Sequence, residues 1–168
     1  VILVISTIIL VKPALFYAKS FIIQSRLSYE WKTTKQNGRL NMYNQDIYPI
    51  GKIIINDLNI SSIITGGDLH KGLDVSVVHI PNTSLPGEIG NICLAGHRDT
   101  FFSKLKKIRK GNIIKIENYK NADKYIVVDI KIIDPGDTYH LYQSDFDILT
   151  LITCYPFDYI GAAPLRYM

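Results

Sequence analysis

The chain has 168 residues and a formal net charge of +4, from 19 basic and 15 acidic side chains. That length holds one domain of ordinary size with an appendage. All of the excess charge lies in residues 1–49, where six basic groups face two acidic ones, while the other 119 residues carry 13 of each. A nucleic-acid binder wants a basic face on its folded part, so this distribution argues against that class.

Val1 to Val11 is apolar except for Ser6 and Thr7, and the sequence has no initiator methionine. Eleven residues rise about 16 Å as a helix, roughly half a bilayer's hydrocarbon core. Residues 1–12 are therefore expected to be the outer half of an N-terminal membrane anchor, with Lys12-Pro13 at the membrane exit. A buried core helix or the end of a signal-peptide apolar region is the alternative. Residues 13–47 read as a helical stalk and linker. Phe16, Tyr17, Phe21, Ile22, Leu27 and Trp31 recur at loosely helical spacing, with Tyr17 and Trp31 as candidate interfacial residues. Thr33 to Asn44 is polar, contains Gly38 and reads as the linker. The basic stalk suits anionic lipid head groups or wall polymers; a simply solvated helix is the plainer reading.

Residues 48–168 predict strand after strand. Candidates are Lys52–Ile55, Ile60–Thr65, Ile92–Gly96, Asn112–Glu117, Lys124–Ile133, Ile148–Cys154 and Leu165–Tyr167, separated by Gly, Pro and Asn turns. The last is expected to be cut short by the end of the sequence at Met168. Asp68 to Leu73 is expected to form one helical turn capped by Asp68. Many short strands and few helices predict an all-β fold, a closed or nearly closed barrel.

Three of those strands end in groups that carry chemistry. Thr150-Leu151-Ile152-Thr153 runs into Cys154, and Tyr155-Pro156 stops the strand there, which puts a thiol at a rim. Fifty-seven residues earlier, the run from Asn91 ends in Ala95-Gly96-His97, where missing side chains let another group approach. Twelve residues after the cysteine, Arg166 follows the apolar stretch Ala162 to Leu165, where an isolated cation is costly without a partner. A thiol, an imidazole and a guanidinium are the parts of a cysteine acyl-transfer site. Cys93, about 13 Å along its strand from His97, reads as core. A Cys93–Cys154 disulfide, or a zinc site from His97, His79, Cys93 and Cys154, is the competing use of these residues. The spacing lacks the paired clips of a zinc site. Asp99 is at most a helper to His97.

TLITCYPFDYIGAAPLRY resembles the cysteine block of the sortases with its following arginine, and HIPNTSLPGEIGNICLAGHRDTFFSKL resembles their histidine block. Order and spacing match over about residues 50–168, and the Tyr-Pro-Phe run after the cysteine is most similar to class D members. The resemblance implies an eight-stranded closed barrel with Cys154 as nucleophile, His97 as general base and acid, and Arg166 as stabiliser of the tetrahedral intermediate. It implies substrate contacts at Thr153, Tyr155, His79, Ile80 and Leu141, with Thr153 orienting the substrate or the arginine, His79 reading as structural beside the groove, and the Tyr155 N–H as a second oxyanion donor. Residues 32–49 lack the Asp-Pro lid of pilus-building members. The connection Asp134 to Asp147 is too short for a class B insertion. Glu88 is the one acid between Val75 and Ala95, so neither calcium nor any other cofactor is expected.

The implied reaction cleaves an LPxTG-like sorting signal after threonine through a thioacyl-enzyme. The acyl group then passes to an amine of the peptidoglycan precursor or another amino nucleophile. It would occur outside the cytoplasm of a Gram-positive cell, on a single-pass, membrane-anchored chain. The alternatives are a hydrolytic cysteine endopeptidase, which shares every site residue, and a non-catalytic, membrane-tethered barrel that binds the wall.

Overall fold

A computed structural model describes residues 2–37 and 46–168; most of the expected linker, from residue 38 onward, lies outside them. Helix α1 (Ile2–Asn37) comes first. It runs past Thr33 because Lys32, Lys35 and Gln36 are good helix formers and polarity alone does not stop a helix. Its buried stripe is Ile23, Leu27 and Trp31, at i, i+4 and i+8, packed with Ile63, Val75 and Tyr119. Phe21 and Ile22, expected on that stripe, are exposed; the Phe16 and Tyr17 side chains lie outside those described. The Trp31 and Tyr119 rings are 4.6 Å apart, and the Gln24 amide donates to the Val75 carbonyl. Among the described residues, no helix is long and apolar enough to cross a membrane.

The domain is one curled sheet of nine strands in the order β6-β5-β1-β2-β3-β4-β8-β9-β7. The strands are β1 (Ile47–Ile55), β2 (Ile60–Gly67), β3 (Val77–His79), β4 (Asn91–Ala95), β5 (Ile113–Glu117), β6 (Ala122–Ile126), β7 (Ile132–Ile133), β8 (Ile148–Tyr155) and β9 (Leu165–Tyr167). Inward residues of several strands, among them Ile53, Ile55, Ile64, Ile92, Leu94 and Ile116, form the core. The pairs β2–β3 and β4–β8 are parallel and the other pairs antiparallel. Short helix α2 (Leu69–Leu73) follows β2, and the Asp68 carboxylate accepts the Lys71 N–H at 2.9 Å, as the sequence predicted.

The expected count of eight strands becomes nine because Lys124–Ile133 is not one strand. Its first part pairs with β5, a ladder that closes at Val127 against Gly111 and Asn112; its last part pairs with β9 from Lys131 and Met168 onward. The two partners do not overlap, so residues 128–130 lie outside both ladders. The sheet's two end strands are thus the two ends of one segment and do not pair with each other, so the sheet is a curled half-barrel and not the closed barrel expected. An apolar cavity of about 190 Å³, lined by Ile114, Tyr125, Val127, Leu149, Leu151 and Tyr167, fills this gap.

Trp31 is 4 % exposed although it belongs to the helix that precedes the sheet. Replacing it with alanine should cost about 3–5 kcal/mol in chemical denaturation. A loss below about 1 kcal/mol would mean that α1 is no part of the folded unit.

Candidate active site

Parallel strands end at the same rim, and this places the site. β4 pairs with β8 from Asn91↔Ile148 to Ala95↔Ile152. One step further on, the Gly96 N–H donates to the Ile152 carbonyl at 3.2 Å, and the Thr153 hydroxyl donates to the Gly96 carbonyl at 2.7 Å. Continued by two residues, this register sets His97 level with Cys154. On the other flank of β8, Cys154 faces Arg166 of β9. Neighbouring strands lie about 4.8 Å apart, and directly opposed residues in an antiparallel pair share one face of the sheet. Cys154 therefore stands between an imidazole-bearing strand end and a guanidinium-bearing strand.

The two cysteines are chemically different. Cys154 is half-buried at the rim, whereas Cys93 is fully buried opposite Thr150. Burial pushes the Cys93 thiol up to about 11. Thr150 precedes Cys154 by four residues, about 13 Å along the strand, beyond the reach of a disulfide; both thiols are free.

His97 owes its placement to the turn that follows β4. A Cβ on Gly96 would lie 2.9 Å from the Phe102 ring, so glycine is required for that ring to pack there. The Phe102 N–H closes the turn by donating to the His97 carbonyl at 3.0 Å. The carboxylate near the imidazole is Asp74, just past α2, with Oδ1 4.0 Å from Nε2. Asp99, weighed as a helper from sequence, is exposed and forms no ion pair among the described residues. Asp74 escaped the sequence reading because β2, α2 and β3 bring it to the rim from 23 residues upstream, without a motif. The Arg166 Nη1 donates to its own loop, to Leu165 O at 3.0 Å and Ala163 O at 3.3 Å. Nε and Nη2 have no protein partner among the described residues.

The expected substrate contacts divide into two groups. Thr153 and His79 are buried, 3 % and 8 % exposed, and both hold structure. Thr153 fixes the histidine turn. His79 Nε2 is 3.0 Å from the Ser84 carbonyl, which only accepts, so Nε2 carries the proton. Burial lowers the His79 pKa and keeps the ring neutral. The Thr83 hydroxyl, also 3.0 Å from Nε2, donates to Ile80 O and accepts the Cys93 N–H, so His79 anchors the loop after β3.

The other three are more accessible. Tyr155 is half-buried and stacked on Tyr167 with centroids 6.2 Å apart. Ile80 and Leu141 are half-buried on two loops that dock together. Ser84 donates to Gln143 at 3.0 Å, and Asn91 Nδ2 donates to His140 O at 2.9 Å and Tyr142 O at 3.2 Å. Tyr139, Tyr142 and Phe146 stand exposed beside this junction. Among the described residues, no group of three or more His, Cys, Asp or Glu side chains is placed to hold a metal.

Accessibility and acidity together predict thiol reactivity. At pH 8 a thiol with a pKa of about 11 is about one part in a thousand thiolate. Iodoacetamide should therefore modify Cys154 and spare Cys93 in the native protein, and modify both in denaturant. Peptide mapping of the alkylated protein checks this, and native labelling of Cys93 would contradict the buried placement.

Comparison with known proteins agrees with this geometry. A model of the Sortase domain family matches residues 53–168. Sortase D of Bacillus subtilis (strain 168) is 39 % identical over 102 residues, 60 % of this chain and 50 % of that protein; the match thus spans half the length of this relative. The fold is similar to that of a Clostridium perfringens Sortase D5 transpeptidase, with a TM-score of 0.68 at 23 % identity, over 90 % of this chain and 94 % of that one. Sortase C-1 of Actinomyces oris superposes with a TM-score of 0.65 at 27 % identity, covering 92 % and 93 % of the two chains. With Cys154 at the shared rim between His97 and Arg166, the chain belongs to the sortase family of cysteine transpeptidases, with its sequence likeness on the class D side.

Proposed function

We propose that this chain cleaves an LPxTG-like sorting signal after its threonine and transfers the threonyl group to an amine. The observation that carries the reading is the register of three adjacent strands, which pairs Cys154 with Arg166 and brings it level with the turn after β4 that carries His97. In this mechanism His97 takes the Cys154 proton as sulfur attacks the threonine carbonyl. The carbonyl electrons move onto oxygen, and the oxyanion is met by the free donors of Arg166. On collapse the carbon–nitrogen bond breaks and His97 returns the proton to the departing amine, leaving a thioester. An incoming amine then attacks, loses its proton to His97, and expels the thiolate. Water would follow the same path, so the donor chemistry alone does not choose between transfer and hydrolysis.

The groove reading fits the length of the signal. From the leucine of Leu-Pro-x-Thr to the threonine carbonyl an extended chain covers roughly 10–13 Å. The Ile80 N–H bonds Cys93 O, so Ile80 lies at the level of Thr150 and two strands across from β8, about 16 Å from Cys154, a span that the extended signal closes with the reach of its leucine side chain. Ile80 and Leu141 would receive the leucine and proline there, with the exposed aromatics of the 139–146 loop as a flank. Residues 1–12 would tether the chain to the outer face of a Gram-positive membrane, where the amine is that of the peptidoglycan precursor.

Cys154→Ala should abolish cleavage of an LPxTG peptide, and Cys93→Ala should not. Arg166→Lys keeps the charge but loses the planar fork, and should lower kcat on the order of 10²–10³, about 3–4 kcal/mol. Circular dichroism checks that each variant is folded. A lysine variant within about threefold of the parent would remove Arg166 from the oxyanion site.

A further inference from the structure

The loop joining β8 to β9, residues 156–164, leads from Cys154 to Arg166, and a single side chain from the histidine turn holds it. Arg98, next to His97, donates from Nη2 to Tyr159 O at 2.7 Å and to Gly161 O at 2.9 Å. Its guanidinium carbon lies 5.9 Å from the centroid of the Tyr159 ring. The second terminal nitrogen, Nη1, is buried without a hydrogen-bond partner among the described residues, so the guanidinium is partly seated in the protein while the two bonds from Nη2 lie at the surface. At its start Phe157 packs on the core and against the Tyr167 ring at 5.0 Å, and at its end Ala163 O accepts from Arg166; between them, from Asp158 to Ala162, the loop is exposed. Ile160 is 97 % exposed, and the Lys106–Asp158 pair at 3.5 Å is solvent-exposed and therefore weak.

We propose that Arg98 is a positioning residue for the reaction: a latch that ties the Cys154–Arg166 loop to the histidine turn and keeps the three reacting groups in one row. β9 has only three residues, held by three pairs with β8 on one edge and two pairs with the two-residue β7 on the other. So short a strand leans on its preceding loop for order, and the exposed stretch from Asp158 to Ala162 would open locally at low cost without the Arg98 contacts. Releasing the loop would free Arg166 relative to Cys154, and chemistry is sensitive to displacements of about 1 Å. Lysine is a poor replacement, since one ammonium does not reproduce a planar group that bonds two carbonyls while lying on an aromatic ring.

The catalytic half of this inference rests on the proposed roles of His97, Cys154 and Arg166; the ordering of the loop does not. The test compares the parent with Arg98→Lys, Arg98→Gln and Arg98→Ala by amide hydrogen exchange and by steady-state kinetics on a sorting-signal peptide. Amides of residues 157–163 should exchange at least about tenfold faster in the alanine and glutamine variants and by an intermediate factor in the lysine variant. Those of Ile92 to Ala95 should be unchanged, which also shows that each variant is folded. kcat should fall about tenfold or more in Arg98→Ala with KM within about twofold. Loop exchange within about twofold of the parent in Arg98→Ala would overturn the latch. Faster loop exchange with unchanged kcat would overturn its positioning role. A parent that cleaves no sorting-signal peptide would count against the proposed function, with the exchange result still deciding the latch.

Discussion

The site depends on the parallel ladder between β4 and β8. No hairpin sets its register, because the strands are separated by more than fifty residues of chain. A slip of one residue would turn Cys154 to the other face of the sheet. Side chains pin the ladder at both ends. At its start Thr150 donates to Asn91 Oδ1 at 2.8 Å while Asn91 Nδ2 holds two carbonyls of the neighbouring loop. At its finish Thr153 holds Gly96. Between them Ile92 and Leu94 are completely buried, so a slip would also expose core.

That ladder separates the two thiols by function. Both lie on it or beside it, one four residues back from the level of the other. The inner thiol is buried, and its ionised form is disfavoured by desolvation. The outer thiol sits where the strands run out and a substrate carbonyl has room. His97 and Arg166 reach it from opposite flanks, so the proton and the developing oxyanion are handled on different sides. The fold thereby avoids setting an imidazolium directly against a guanidinium.

Much of this was legible because the signals were local. A β-branched run broken by Tyr155-Pro156, and a histidine after Ala95-Gly96, mark strand ends from neighbouring residues alone. So did the capped turn at Asp68. What escaped depends on partners far along the chain. β3 is three residues long and exists because β2 and β4 flank it. Lys124–Ile133 alternates like one strand, but β5 and β9 claim only its ends. Thr153, expected to orient the substrate or the arginine, and His79, expected to be structural, are both buried, and their bonds to Gly96 and Ser84 brace turns at the rim. Asp74 reaches the site through tertiary contacts that no spacing announces, and Arg98, although next to His97, meets the carbonyls of the 156–164 loop only in the fold.

The most direct test of the central claim is intact-mass analysis after rapid acid quench of the protein mixed with a sorting-signal peptide. The account predicts an adduct equal to the peptide up to its threonine, located on Cys154 by digestion. Adding an amine before the quench should discharge it, with formation of the joined product. Cleavage with no thioester at Cys154, or an adduct on Cys93, would contradict the account.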